Sequence, residues 1–168
     1  MQNKLSYVVL LTLVLAVFGF TSAIAADKTF TDTGDGLWST AANWDGAALP
    51  SVGDNIIITA GDPLTFDASA TAGTYGTLTI NSGSTLTLAK AGLVFGAVTV
   101  NTAGTVALAT FDLATAGVTV GTAALTISGT GTWTPSAAVS VSTGSVIFGG
   151  AAEVDGTIEF TGNGTLNQ

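Results

Sequence analysis

The residue pairs Leu78/Ile80, Val98/Val100, Val118/Val120, Val139/Val141 and Ile158/Phe160 recur at steps of 20, 20, 21 and 19 residues. A second series keeps the same beat through Leu86/Leu88, Val106/Leu108, Leu125/Ile127, Val146/Phe148 and Leu166, with steps of 20, 19, 21 and 20. A third, looser series runs through Leu93, Leu113, Trp133 and Val154. A fixed period of this length is the mark of a solenoid, in which each repeat buries its apolar face only against its neighbours. One residue, most often Thr, separates the members of each pair. That alternation belongs to a strand with one face inward and the other outward.

The pattern predicts an all-β fold, a single-stranded parallel β-helix of about five coils of ~20 residues. Three short strands per coil are expected, with equivalent residues of successive coils ~4.8 Å apart. The turn between the first two strands carries Gly83, Gly104, Gly144 and Gly164, where positive φ suits glycine. Asn81 and Asn101 fall at equivalent corners, placed for their amides to stack. A sandwich or meander of short strands would accept such turns but does not require one period in all three columns. We take the coil as right-handed, because left-handed β-helices usually keep a stricter hexapeptide repeat.

Ahead of the repeat, Lys4 precedes an apolar run from Leu5 to Phe20, followed by Thr21-Ser22-Ala23-Ile24-Ala25. A basic start, an apolar stretch and small residues at Ala23 and Ala25 make a secretory signal peptide cleaved after Ala25. The rival reading, an uncleaved anchor, calls for a longer run of ~20 apolar residues. The expected organisation is a leader over 1–25, a cap segment over 26–55 and coils over 56–168. The expected location is secreted or at the cell surface, with no membrane span after cleavage.

Export gives the composition its meaning. Eleven acids against Lys28 and Lys90 leave the mature side chains at −9, with no Arg, His or Cys. Such a chain repels phosphate backbones, so nucleic acid is not an expected partner. Thiol catalysis, cysteine-ligated metal, histidine acid–base chemistry and the serine triad have no residues to carry them.

The segment before the coils is not repetitive. Gly36-Leu37-Trp38, Asn43-Trp44, Pro50, Gly53-Asp54 and Ile56-Ile57-Ile58 form a W…NW…P..GD..I pattern. Over residues 36 to 58 this resembles the opening of secreted bacterial β-helical surface proteins, including autotransporter passengers and G8-like domains. The resemblance implies a right-handed β-helix at the cell surface and names no substrate. Trp38 and Trp44 have two readings: an aromatic cap on the first coil, or a platform on which a glycan ring stacks. Asp32, Asp35, Asp45, Asp54, Asp62 and Asp67 crowd the same region. Calcium would suit oxygen-rich loops outside the cell. However, Asp32-Thr33-Gly34-Asp35-Gly36 lacks the alternating spacing of an EF-hand loop, and turn-capping accounts for the same residues. No cofactor is therefore expected.

Three functional readings remain. The first is a non-catalytic structural or adhesion module, with extracellular glycans or other cell-surface proteins as partners. The second is a polysaccharide-binding or polysaccharide-degrading β-helix. It resembles the pectate lyases in architecture, but those use a basic residue, typically Arg, beside calcium-binding acids. A glycosidase needs two carboxylates ~5–10 Å apart, and beyond Asp67 only Asp112, Glu153, Asp155 and Glu159 are available. The third is an ice-binding surface, which outward T-x-T pairs at Thr77/Thr79 and Thr85/Thr87, with Thr99 behind them, resemble. Followed coil by coil on the predicted register, that rank breaks down after its first pairs. Finally, Gln168 falls where Leu88, Leu108, Ile127 and Phe148 stand in earlier coils. The coils are expected to continue past it, or their open end to support end-to-end self-association.

Overall fold

The computed structural model describes residues 25–122, 124–137, 139–150, 152–155, 158–160 and 165–167. The predicted leader up to Ile24, the corner Gly164 and Gln168 lie outside these residues. The described chain is a parallel β-solenoid of about five turns. Its strands are β1 Asp27–Phe30, β2 Asn55–Ile58, β3 Pro63–Phe66, β4 Gly73–Ile80, β5 Ser84–Leu88, β6 Leu93–Val100, β7 Gly104–Ala109 and β8 Leu113–Val120. They continue as β9 Ala124–Gly129, β10 Thr132–Pro135, β11 Val139–Val141, β12 Ser145–Gly150, β13 Glu153–Val154, β14 Ile158–Phe160 and β15 Thr165–Asn167. One sheet runs β1-β2-β4-β6-β8-β10-β13, with β11 and β14 extending it from β8. The other runs β3-β5-β7-β9-β12-β15.

The first predicted column is a ladder: Leu78 pairs with Val98, Val98 with Val118, Val118 with Val139 and Val139 with Ile158. The third and first columns do not sit on separate strands in the middle coils, because β6 and β8 each carry both. Alternation breaks inside them. In β6, Leu93 and Phe95 face in, Gly96 and Ala97 do not, and Val98 and Val100 face in again. That change of parity is a bend, which Gly96 permits by close approach: a Cβ there would stand 2.9 Å from the Gly76 carbonyl oxygen. The bend also admits an inward column absent from the predicted series, Tyr75, Phe95, Thr115 and Pro135.

The second column differs in register at one step. Val106 lies opposite Ile127, and Gly104 opposite Leu125, two residues from the predicted match of Val106 with Leu125. Parity survives a shift of two, so Leu108, Leu125 and Ile127 all stay buried. Gly104, opposite Leu125, has no space for a side chain of its own, because a Cβ there would stand 2.5 Å from Ile80. The extra residue is absorbed where Ala107 pairs with Ser128 and Ala109 with Gly129, leaving Leu108 as a bulge. Gly83 has the positive φ predicted for a corner, 74°. Gly104 does not share that role, being an inward position paired with Ser84.

At the N-terminal end, β1 stacks on β2 as one more rung, with Phe30 over Ile58. Trp38, Trp44, Phe30, Phe66 and Tyr75 close the core there in edge-on contacts with centroids 5.0–5.3 Å apart. Burial of such rings is a large apolar contribution for a chain with no disulfide.

Candidate functional site

The N-terminal loop from Thr31 to Pro50 concentrates the polar chemistry, and its carboxylates turn inward on the chain itself. Asp32 Oδ1 accepts from the Gly34 and Gly36 amides, each at 2.8 Å. Asp35 accepts from the Thr40 hydroxyl, the Leu37 amide and the Asn43 side chain. Those donors, the Thr40 hydroxyl foremost, hold its carboxyl below the ordinary 3.8. Asp67 accepts from the Ser39 amide and hydroxyl and the Ser69 amide. Burial pushes its pKa up, but these hydrogen bonds outweigh burial and leave it lowered. Asp54 takes the Ala26 and Ser51 amides, and Asp62 the Asp32 amide and the Thr59 hydroxyl. Asp45 accepts from the Thr29 amide and lies 3.9 Å from the Lys28 ammonium. All six acids considered for calcium thus act as turn and loop fasteners.

Asn43 ties the loop together. Its amide nitrogen donates to Asp35 and to the Leu37 carbonyl, and its oxygen accepts from the Thr33 amide and hydroxyl. This buried hub was missed among the candidate residues. The Asn43-Trp44 dipeptide was the only signal for it. Trp38 and Trp44 are 1% and 3% exposed, and the Trp44 indole donates to the Trp38 carbonyl at 2.7 Å. Neither ring offers a free face to a sugar. Their packing is that of the cap.

The two outer sheet faces hold the predicted T-x-T residues, on different faces. Thr79, Thr99 and Thr119 stack in one column of the first sheet, with Thr77 over Ala97 and Gly117 beside them. On the second sheet, Thr85, Thr105 and Thr126 form one column, and Thr65, Thr87, Ala107 and Ser128 the next. Thr105 and Thr126 join only because of the two-residue shift, which sequence spacing did not disclose. No charged residue lies on β3, β5, β7, β9 or β12. The hydroxyls of Thr65, Thr85, Thr87, Thr105 and Thr126 make no hydrogen bond to the protein among the described residues. By contrast, the inward Ser84 hydroxyl and the Thr130 hydroxyl donate to the Thr59 and Ala109 carbonyls.

Corner amides form the short ladder predicted for them. Asn101 donates to Asn81 at 3.0 Å, and Asn81 to the Ile58 carbonyl at 2.9 Å. Lys90 donates to the Ala68 and Ala70 carbonyls. Glu153 and Asp155 are both exposed on either side of Val154, as the alternation predicted. Glu153 borders a recess of about 290 Å³ with Phe148, Val154 and Leu166. The Glu159 side chain lies outside the described residues.

No family model, curated protein or solved structure matches the chain.

Proposed function

We propose that this chain is a non-catalytic structural or adhesion module, exported to the cell surface, whose solenoid holds inert faces at a fixed spacing. The observation that carries this reading is the engagement of its acids. Asp32, Asp35, Asp45, Asp54, Asp62, Asp67 and Asp112 each accept hydrogen bonds from backbone amides of this chain. A carboxylate used in this way fastens a turn or loop, its oxygens committed to amides of its own chain. The leader-like start and the resemblance to β-helical surface proteins support the location. Incubation with acidic and neutral polysaccharides is expected to release neither unsaturated nor reducing ends. Steady release, lost on Glu153→Gln or Asp155→Asn, would replace this reading with a lyase or hydrolase.

One observation favours a second reading, ice binding, over its standing from sequence alone. The register shift lengthens one column of unbonded threonine hydroxyls on the six-stranded sheet to three rungs, Thr85, Thr105 and Thr126, without a charge among them. Threonines repeating every ~4.8 Å between rungs present methyl and hydroxyl groups on a two-dimensional grid. Thermal hysteresis abolished by Thr87→Lys and retained in Thr99→Lys would establish this face. Its absence from the unmodified protein would remove the reading.

A further inference from the structure

A parallel solenoid ends in two open sheet edges, and an unpaired edge is a template for another strand. In β1 the Ala26 and Phe30 carbonyls accept from the Asn55 and Thr59 amides, so the even-numbered residues bond toward β2. The odd-numbered residues therefore aim their amides at the free side. There, Thr29 donates to the Asp45 carboxylate at 3.3 Å and Thr31 to the Asn43 carbonyl at 2.8 Å. In β3 the same parity leaves Thr65 facing outward. Its amide donates to the Gly36 carbonyl at 2.7 Å, and its carbonyl accepts from the Trp38 amide at 2.9 Å. Leu37 makes a parallel bridge to Thr65, and Trp44 an antiparallel bridge to Phe30. One loop thus lays a fragment of mock strand on each edge, and its Trp38 and Trp44 rings cover the apolar centre between them.

Lys28 adds a second obstacle. It pairs with Ile56 and so occupies the first-column position that Ile56 and Leu78 fill in the next two rungs. Its side chain is only 18% exposed and is matched by Asp45. A charge held in an inward column penalises any rung stacked on top of it.

We infer that the Gly36–Asp45 stretch, with Lys28, is a guard that keeps the N-terminal rung from pairing with the same rung of a second copy. That occupant follows from shape. The same end of another molecule offers two sheet edges at one level with an aromatic centre between them, the self-complementary arrangement of a two-fold dimer. The inference is independent of what the faces bind.

Hydrogen exchange and sedimentation of the purified protein test it together. The unmodified protein is expected to sediment as a monomer at all concentrations, with slow exchange at the Thr31 and Thr65 amides. Asn43→Ala/Asp45→Ala is expected to speed exchange at Thr29, Thr31 and Thr65 at least tenfold and to produce a concentration-dependent dimer. Adding Lys28→Val is expected to tighten that dimer, while Lys28→Val alone stays monomeric. A triple variant with native circular dichroism and unprotected edges that remains monomeric would overturn the inference. So would rapid exchange at Thr31 and Thr65 in the unmodified protein, a result that holds whether or not the variants fold.

Discussion

Asp35 shows how much of this fold's polar chemistry is local. Three donors within eight residues of it, Thr40, Leu37 and Asn43, favour its charged form. The folded carboxyl is therefore more acidic than the unfolded one. Its contribution is complete above the ordinary value of 3.8 and is lost as pH falls through the depressed folded value. Asp67, lowered in the same direction, acts in the same window. Urea midpoints measured from pH 7 to pH 3 should fall below about pH 4, and Asp35→Ala should flatten that fall. A second residue-scale test concerns the core. Thr115 is buried, and its hydroxyl accepts the Trp133 indole N–H at 3.0 Å. Trp133→Phe removes that donor and should destabilise by about 1–3 kcal/mol beyond the loss of packing. Thr115→Val in the Trp133→Phe background should recover most of the hydrogen-bond part, as read by denaturant unfolding of the four-member cycle.

Among the strands, glycines divide into those the stacking requires and those it tolerates. A Cβ at Gly131 would run into the Phe111 carbonyl, a backbone group of the neighbouring coil that has no room to yield. Gly131→Ala should therefore cost about 1–3 kcal/mol. At Gly117 the nearest atom is the Ala137 methyl at 4.0 Å, and φ is not in the left-handed region. Gly117→Ala should be neutral or slightly stabilising, because it narrows the unfolded ensemble. Thermal unfolding of the two variants side by side separates the cases; equal effects would mean that coil spacing is softer than the contacts imply. The sequence marks Gly117 only as a glycine in a strand pattern and Gly131 only as a turn glycine. Contact with the adjacent coil makes one indispensable.

The whole molecule is a stack whose rungs depend on their neighbours, so its ends matter more than their size suggests. Trp38 contacts Trp44, Phe66 and Tyr75, joining the loop to two further coils. Trp38→Ala should cost about 3–5 kcal/mol and should loosen amides of β1 to β4 first, seen by hydrogen exchange. Uniform loosening through β12 would indicate a single cooperative unit instead of a stack fraying from one end. At this scale the period of about twenty residues determined the essentials: parallel coils and inward columns. It did so because burial in a solenoid requires the same alternation in every repeat, and alternation is written along the chain. The tertiary structure alone decided the register of β7 on β9, since a slip of two leaves the inward and outward sets unchanged and alternation along the chain does not distinguish the alternatives. It also decided that the Gly36–Asp45 stretch closes both sheet edges. Those hydrogen bonds join Thr65 to Gly36 and Trp38, and Thr29 to Asp45, residues far apart along the chain that no local pattern connects.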